Sequence, residues 1–91
     1  MIYIIKLSLF IASKNSPIAQ NQITNVKKLL NSLTEEVYEL NIYELFEDWQ
    51  KAKDVNIITT PTLIKQTPKG ESRLIGDFSN KKNVLNFLSI E

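Results

Sequence analysis

Thr60-Pro61-Thr62-Leu63-Ile64-Lys65 places a proline at the mouth of an apolar, β-rich run, and Arg73-Leu74-Ile75-Gly76-Asp77-Phe78-Ser79 follows a few residues later. Proline has no N–H to give a sheet ladder, so it is tolerated at a strand entry and excluded from the middle of a central strand. Cis peptide bonds are nearly confined to proline, which makes Pro61 a candidate structural switch point ahead of the strand. The second apolar run ends in Gly76-Asp77, and a helical pattern starts straight after it. The C-terminal half therefore reads β-β-α.

The N-terminal half supplies strands for that pair to join. Residues 2–12 are nearly continuous in Ile, Leu, Tyr and Phe, as in a strand covered on both faces. Ser16-Pro17 is a helix start, a hydroxyl cap followed by proline at the first helical position. Ile23, Val26, Leu30 and Leu33 then recur at spacings of three and four, with Leu29 alongside, giving one apolar helix face. The segment Thr34-Glu35-Glu36 ends that helix without a glycine stop. Residues 37–43 alternate, with Val37, Leu40, Ile42 and Tyr43 set against Glu39 and Asn41, and form a second strand. Strand, crossover helix and strand make a βαβ unit with parallel strands.

Residues 44–52 read as a short helix with Leu45, Phe46, Trp49 and Ala52 as its apolar positions. Its acids Glu44, Glu47 and Asp48 fall in the first turns, where they suit the helix dipole, and Glu47 and Lys51 are spaced for an ion pair. Residues 59–66 form a third strand. Pro68-Lys69-Gly70 lies in a turn cluster, and residues 72–75 return antiparallel as a fourth strand. Ser79 caps a last helix over residues 80–89, with Val84, Leu85 and Leu88 inward. The order β-α-β-α-β-β-α within 91 residues implies one thioredoxin-like, three-layer α/β domain over residues 1–91, built on a four-stranded mixed sheet.

Cysteine and histidine are both absent. Thiol redox chemistry, disulfides, thiolate or imidazole metal sites and the commonest general base go with them. The loop after the first strand, Ser13-Lys14-Asn15-Ser16-Pro17, is where thioredoxin-like enzymes carry their reactive cysteines, and here it has none. Without an activating base, Ser13 and Ser16 are not nucleophiles. A relic of a redox enzyme acting on small molecules would require a deep pocket near Pro61. The net charge of +1 gives no electrostatic case for nucleic acid or acidic membrane. Lys27-Lys28 and Lys81-Lys82 read as solvated faces. The apolar stretch from Met1 to Ala12 is too short to span a bilayer and has no cationic segment before it, so a cytoplasmic protein is expected.

Glu44, Glu47 and Asp48 read as an exposed acidic helix start rather than a cation site. Core packing is the first reading for Phe46 and Trp49; the alternative is a ring facing a protein partner, which the aromatic excess around residues 43–49 leaves open. Lys65 and Arg73 would form a basic cross-strand pair on the third and fourth strands, which repels unless it meets an acidic group.

The chain resembles the KaiB family of the cyanobacterial circadian clock over nearly its whole length. The resemblance is carried by Thr60-Pro61-Thr62-Leu63-Ile64-Lys65, by Arg73-Leu74-Ile75-Gly76-Asp77-Phe78-Ser79-Asn80 and by Val84-Leu85, with support from residues 6–12 and 37–40. It implies a protein that is not an enzyme and needs no cofactor. Such a protein would dock on the ring-shaped ATPase KaiC and control assembly with KaiA and output histidine kinases. It also implies two folds of one sequence, a tetrameric resting form and a monomeric thioredoxin-like form that binds KaiC. On the resemblance, the partner surface is Glu44, Trp49 and Asn56 on and after the second helix, with Lys65 and Arg73. The switch or structural positions are Pro61, Pro68, Gly76, Asp77, Phe87 and Ser89.

Three departures from the family pattern shape that expectation. Phe87 and Ser89 stand where clock proteins carry a Gly and an Asp that help hold the resting fold. Pro68-Lys69-Gly70 replaces a proline run. Removing a helix glycine favours the final helix by about 1 kcal/mol, so both changes point to a thioredoxin-like ground state that does not switch readily. The basic surface is thinned, because Ser8, Asn41 and Asn56 fall where clock proteins often have Lys. That leaves room for a divergent member working with a different KaiC-type ATPase. Ser8 within residues 7–10 also looks like the KaiB-like sensor domain of the kinase SasA, and the alternative reading is such a domain at the head of a histidine kinase.

Overall fold

The computed structural model describes residues 4–33, 37–76 and 78–89. Strand β1 (Ile4–Ile11) runs through the centre of the sheet. Its side chains at Ile5, Leu7, Leu9 and Ile11 go to one buried cluster, while Phe10 goes to a second cluster on the other face. This two-sided burial is why the N-terminal run reads as almost unbroken apolar residues. Helix α1 (Pro17–Ser32) starts as its sequence requires: Pro17 is at the first turn, and the Ser16 hydroxyl accepts the Ala19 N–H. The helix buries Ala19, Ile23 and Val26.

Strand β2 (Val37–Glu44) lies parallel to β1, with Ile4 opposite Val37 and Ile11 opposite Glu44. Helix α2 (Trp49–Asp54) crosses the opposite face of the sheet and buries Ala52 against Phe10 and Ile64. Strand β3 (Thr62–Thr67) runs antiparallel to β1, and β4 (Gly70–Ile75) runs antiparallel to β3. Helix α3 (Lys81–Leu88) returns to the α1 side. The sheet order is β2-β1-β3-β4, so the expected thioredoxin-like architecture and element order are observed. The Thr60–Pro61 bond is cis. Gly70 and Gly76 have φ of +134° and +108°, conformations that side-chain-bearing residues rarely adopt.

The second helix begins later than its apolar spacing suggests. Residues 45–48 are a turn, and Glu44 belongs to β2. The Asp48 carboxylate accepts the Glu44 N–H at 2.9 Å while the Asp48 N–H donates to the Glu44 carbonyl at 2.8 Å. This reciprocal pair closes the turn and postpones the helix to Trp49. Glu47 thus sits outside the helix, and Lys51 lies over the Tyr43 ring at 5.9 Å instead of pairing along a helix face. The cap of α3 is Asn80 rather than Ser79, its side chain accepting the Asn83 N–H at 3.1 Å. Asp77 and residues 34–36 lie outside the described residues.

Candidate partner-binding site

The hairpin register separates the two basic residues expected to form one pair. Thr67 pairs with Gly70 across the turn, so Lys65 lies opposite Ser72 and Arg73 opposite Ile64. Neighbouring positions on a strand point to opposite faces. Lys65 therefore emerges on the α3 side and Arg73 on the α2 side, and no cross-strand basic pair forms.

Each of the two cations has internal partners. The Lys65 ammonium donates to the Phe87 carbonyl at 2.5 Å and to the Ser89 carbonyl at 3.4 Å, and lies 5.0 Å from the Phe87 ring centre. The Tyr38 hydroxyl donates to the Leu88 carbonyl at 2.9 Å, and the Ser89 hydroxyl to that of Leu85 at 2.8 Å. The last carbonyls of a helix lack intrahelical donors; here β2, β3 and Ser89 supply them, and a cation at the C-terminus suits the helix dipole. Arg73 does the same for α2. Its guanidinium donates to the Val55 carbonyl at 2.6 Å, to that of Asn56 at 3.4 Å and to Glu71 at 3.0 Å. Asn56 takes a left-handed φ of +57° as the chain leaves the helix. Glu44 is half-buried and accepts the Lys14 N–H at 3.1 Å, joining the β1–α1 loop to the end of β2.

The aromatic residues of this region are on the surface. Phe46 is 84% exposed, Trp49 61% and Ile58 94%, with Leu45 exposed beside them. Core packing, the first reading for both rings, is overturned: Ala52, Val55, Ile57 and Tyr43 cover Phe10 and Ile64, leaving the rings outside. Leu45, Trp49, Ala52, Lys53, Asn56 and Ile58 line an open groove of about 650 Å³ along α2. Ile58 carries no sequence signal that marks it as exposed, since it directly follows Ile57 in a short apolar stretch with Val55.

Of the expected contact residues, the structure brings Trp49 and Asn56 together on this groove, with Arg73 behind Asn56. Lys65 is on the other face and Glu44 is at the loop beneath. Pro61 accepts the Gly76 N–H at 3.1 Å, Pro68 sits in the β3–β4 turn, Phe87 packs half-buried on the main core, and Ser89 caps α3. Ser13 and Ser16 hydroxyls accept backbone N–H groups of Asn15 and Ala19. Among the described residues no group of three or more acids is placed to hold a metal ion, and no helix is long and apolar enough to cross a membrane. An exposed apolar, aromatic-rich surface with a polar rim has the composition common in protein-recognition surfaces.

The KaiB domain family matches residues 8–90. The circadian clock protein KaiB3 of Synechocystis sp. is 38% identical over 86 residues, covering 94% of this chain and 83% of the relative. In structure, the N-terminal domain of Synechococcus elongatus SasA superposes with a TM-score of 0.79 at 21% identity, covering 97% of this chain and 82% of that one. The germline-specific thioredoxin Deadhead of Drosophila melanogaster gives 0.70 at 14% identity, covering 93% and 81%.

Proposed function

The chain belongs to the KaiB family, and on that premise we propose that it is a non-catalytic circadian-clock protein that docks on a KaiC-type ATPase ring. By occupying a site on the ring it would recruit or exclude other partners, KaiA and output histidine kinases among them. The observation that carries this reading is the exposed apolar set on the α2 flank, Phe46, Trp49 and Ile58, beside the groove. Solvent-exposed aromatic anchors of this kind concentrate binding energy in protein interfaces. Asn56 lies on the groove and Arg73 fixes the backbone under it. Lys65 supports α3 in this reading and does not touch the partner; Glu44 holds the adjoining loop.

The same reading includes a thioredoxin-like resting state. The α3 C-terminus is bonded by Lys65, Tyr38 and Ser89, contacts that favour keeping this helix where it is. A second reading, a KaiB-like sensor domain of a SasA-type histidine kinase, draws on the shape match to the SasA domain; a kinase region encoded directly after Glu91 would decide for it.

The test is co-elution and titration with the KaiC-type ATPase of the encoding organism, in its separate nucleotide and phosphorylation states. State-dependent binding that disappears in Phe46→Asp or Ile58→Asp is the expected result. A folded chain that binds the ring in no state would reject the docking reading.

A further inference from the structure

We propose that Asn56 is the specificity-determining residue of the α2 groove: its carboxamide, held out on a left-handed backbone, bonds an uncharged main-chain peptide group of the ring beside an apolar side chain that enters the groove. This role rests on the docking reading and adds the chemistry that the site selects. Among the described residues Asn56 is the one non-glycine with a positive φ, +57°. Residues with side chains are uncommon in this conformation, and asparagine enters it more readily than most. The position lies just past the end of α2. The Asn56 N–H donates to the Lys53 carbonyl at 3.1 Å and the Ile57 N–H to the Ala52 carbonyl at 2.9 Å, and Ile57 packs on the cluster that contains Ala52. In a helix ending with this pair of bonds and this apolar contact, glycine is the usual left-handed residue. A side chain kept at such a position, on the surface, points to a use for that side chain.

Asn56 is exposed and lines the groove with Leu45, Trp49, Lys53 and Ile58. Its hydrogen bonds among the described residues are all made by its main chain. The segment that carries it is pinned from two sides. Arg73 donates to the Val55 and Asn56 carbonyls at 2.6 and 3.4 Å, and the Thr62 hydroxyl donates to the Thr59 carbonyl at 2.7 Å. Asn56 and the 94% exposed Ile58 are therefore held in place before any partner arrives, and a site ordered in advance loses less entropy on binding.

The same contacts argue against recognition of charge at this point. The Arg73 guanidinium, the cation beside Asn56, is committed to the two carbonyls and to Glu71. Lys53 is the one charged residue lining the groove, and apart from it and Asn56 the lining is apolar. A carboxamide presents N–H donors and a carbonyl acceptor together, the complement of the C=O and N–H of a peptide group. Leu45, Trp49 and Ile58 supply the apolar contact next to it.

The test is a titration of the KaiC-type ATPase ring, in each of its nucleotide and phosphorylation states, with the full chain and its Asn56→Gly, Asn56→Asp and Phe46→Asp variants, Tm being measured for each. Glycine suits the left-handed backbone, so Asn56→Gly should melt no lower than the unaltered chain and yet bind about three- to tenfold more weakly, the loss of a hydrogen bond. A merely structural role would lower Tm and affinity together. Asn56→Asp keeps the size and the tolerance of this backbone but carries no donor. It should weaken binding by about threefold or more at both low and high salt, because a bond is lost and no charge is opposed. A lowered Tm in Asn56→Gly, or an Asn56→Asp defect that high salt removes, would overturn the proposal. Unchanged affinity in both Asn56 variants, with binding lost in Phe46→Asp, would overturn it and leave the docking reading standing. A folded chain that binds the ring in no state would overturn both.

Discussion

Lys65 and Arg73 stand one register step apart across the β3–β4 ladder, and that step sends them to different helices. Both were legible as cations on adjacent strands, but their faces depend on which residues the turn brings opposite, here Thr67 and Gly70. Pro68-Lys69-Gly70 marks a turn without stating its register. Replacing Lys65 with Met keeps the stem and removes the donor to the Phe87 and Ser89 carbonyls. It should cost about 1–2 kcal/mol and speed amide exchange in α3 more than elsewhere, as read by hydrogen–deuterium exchange. Arg73→Ala removes the donors to Val55 and Asn56. Its side chain is partly solvated, which screens the interaction, so about 1 kcal/mol is expected, with faster exchange confined to residues 55–57. Charge reversal at either position would disturb packing as well as any contact, so neutral truncations at Phe46 and Trp49 are the cleaner probes of docking.

At the scale of elements, helix starts with a strong local signal were readable and the one made by a side chain reaching backwards was not. Ser16-Pro17 fixes α1 by cap and proline alone. Around α2 the spacing of Leu45, Phe46, Trp49 and Ala52 imitates an amphipathic helix from residue 44. The Asp48–Glu44 bond pair instead spends four residues on a turn and rotates the rings outward. Apolar periodicity reports that residues share a face; it does not report whether another layer covers that face. Two consequences can be measured. Asn80→Ala should destabilise by about 1 kcal/mol through loss of the α3 cap, seen as a lowered denaturant midpoint with an unchanged slope. Asp48→Ala should release the Glu44 N–H and increase exchange at residues 44–48, leaving α1 and α3 protection as it was.

For the whole molecule, one face of the sheet is packed over its length by α1 and α3, while α2 is short and covers the other face only near Phe10 and Ile64. The order of elements and the central core were legible because apolar runs at β1 and β3 are buried from both sides. The exposed α2 flank was legible only as an aromatic excess, because what leaves it uncovered is the shortness of α2. Stability and docking should therefore separate cleanly. Leu63→Ala, in the centre of the core, should cost about 2–5 kcal/mol and lower Tm by roughly 4–8 °C per kcal/mol. Trp49→Ala should change stability by no more than about 0.5 kcal/mol, since the ring is largely in water. The most direct measurement is the Kd for the KaiC-type ATPase ring of the Phe46→Ala/Trp49→Ala double variant against the unaltered chain, with Tm measured for both. A Kd raised at least tenfold at an unchanged Tm, about 1.4 kcal/mol of binding free energy, is the result expected of docking through the α2 flank. An unchanged Kd would contradict it and move the contact surface elsewhere on the sheet.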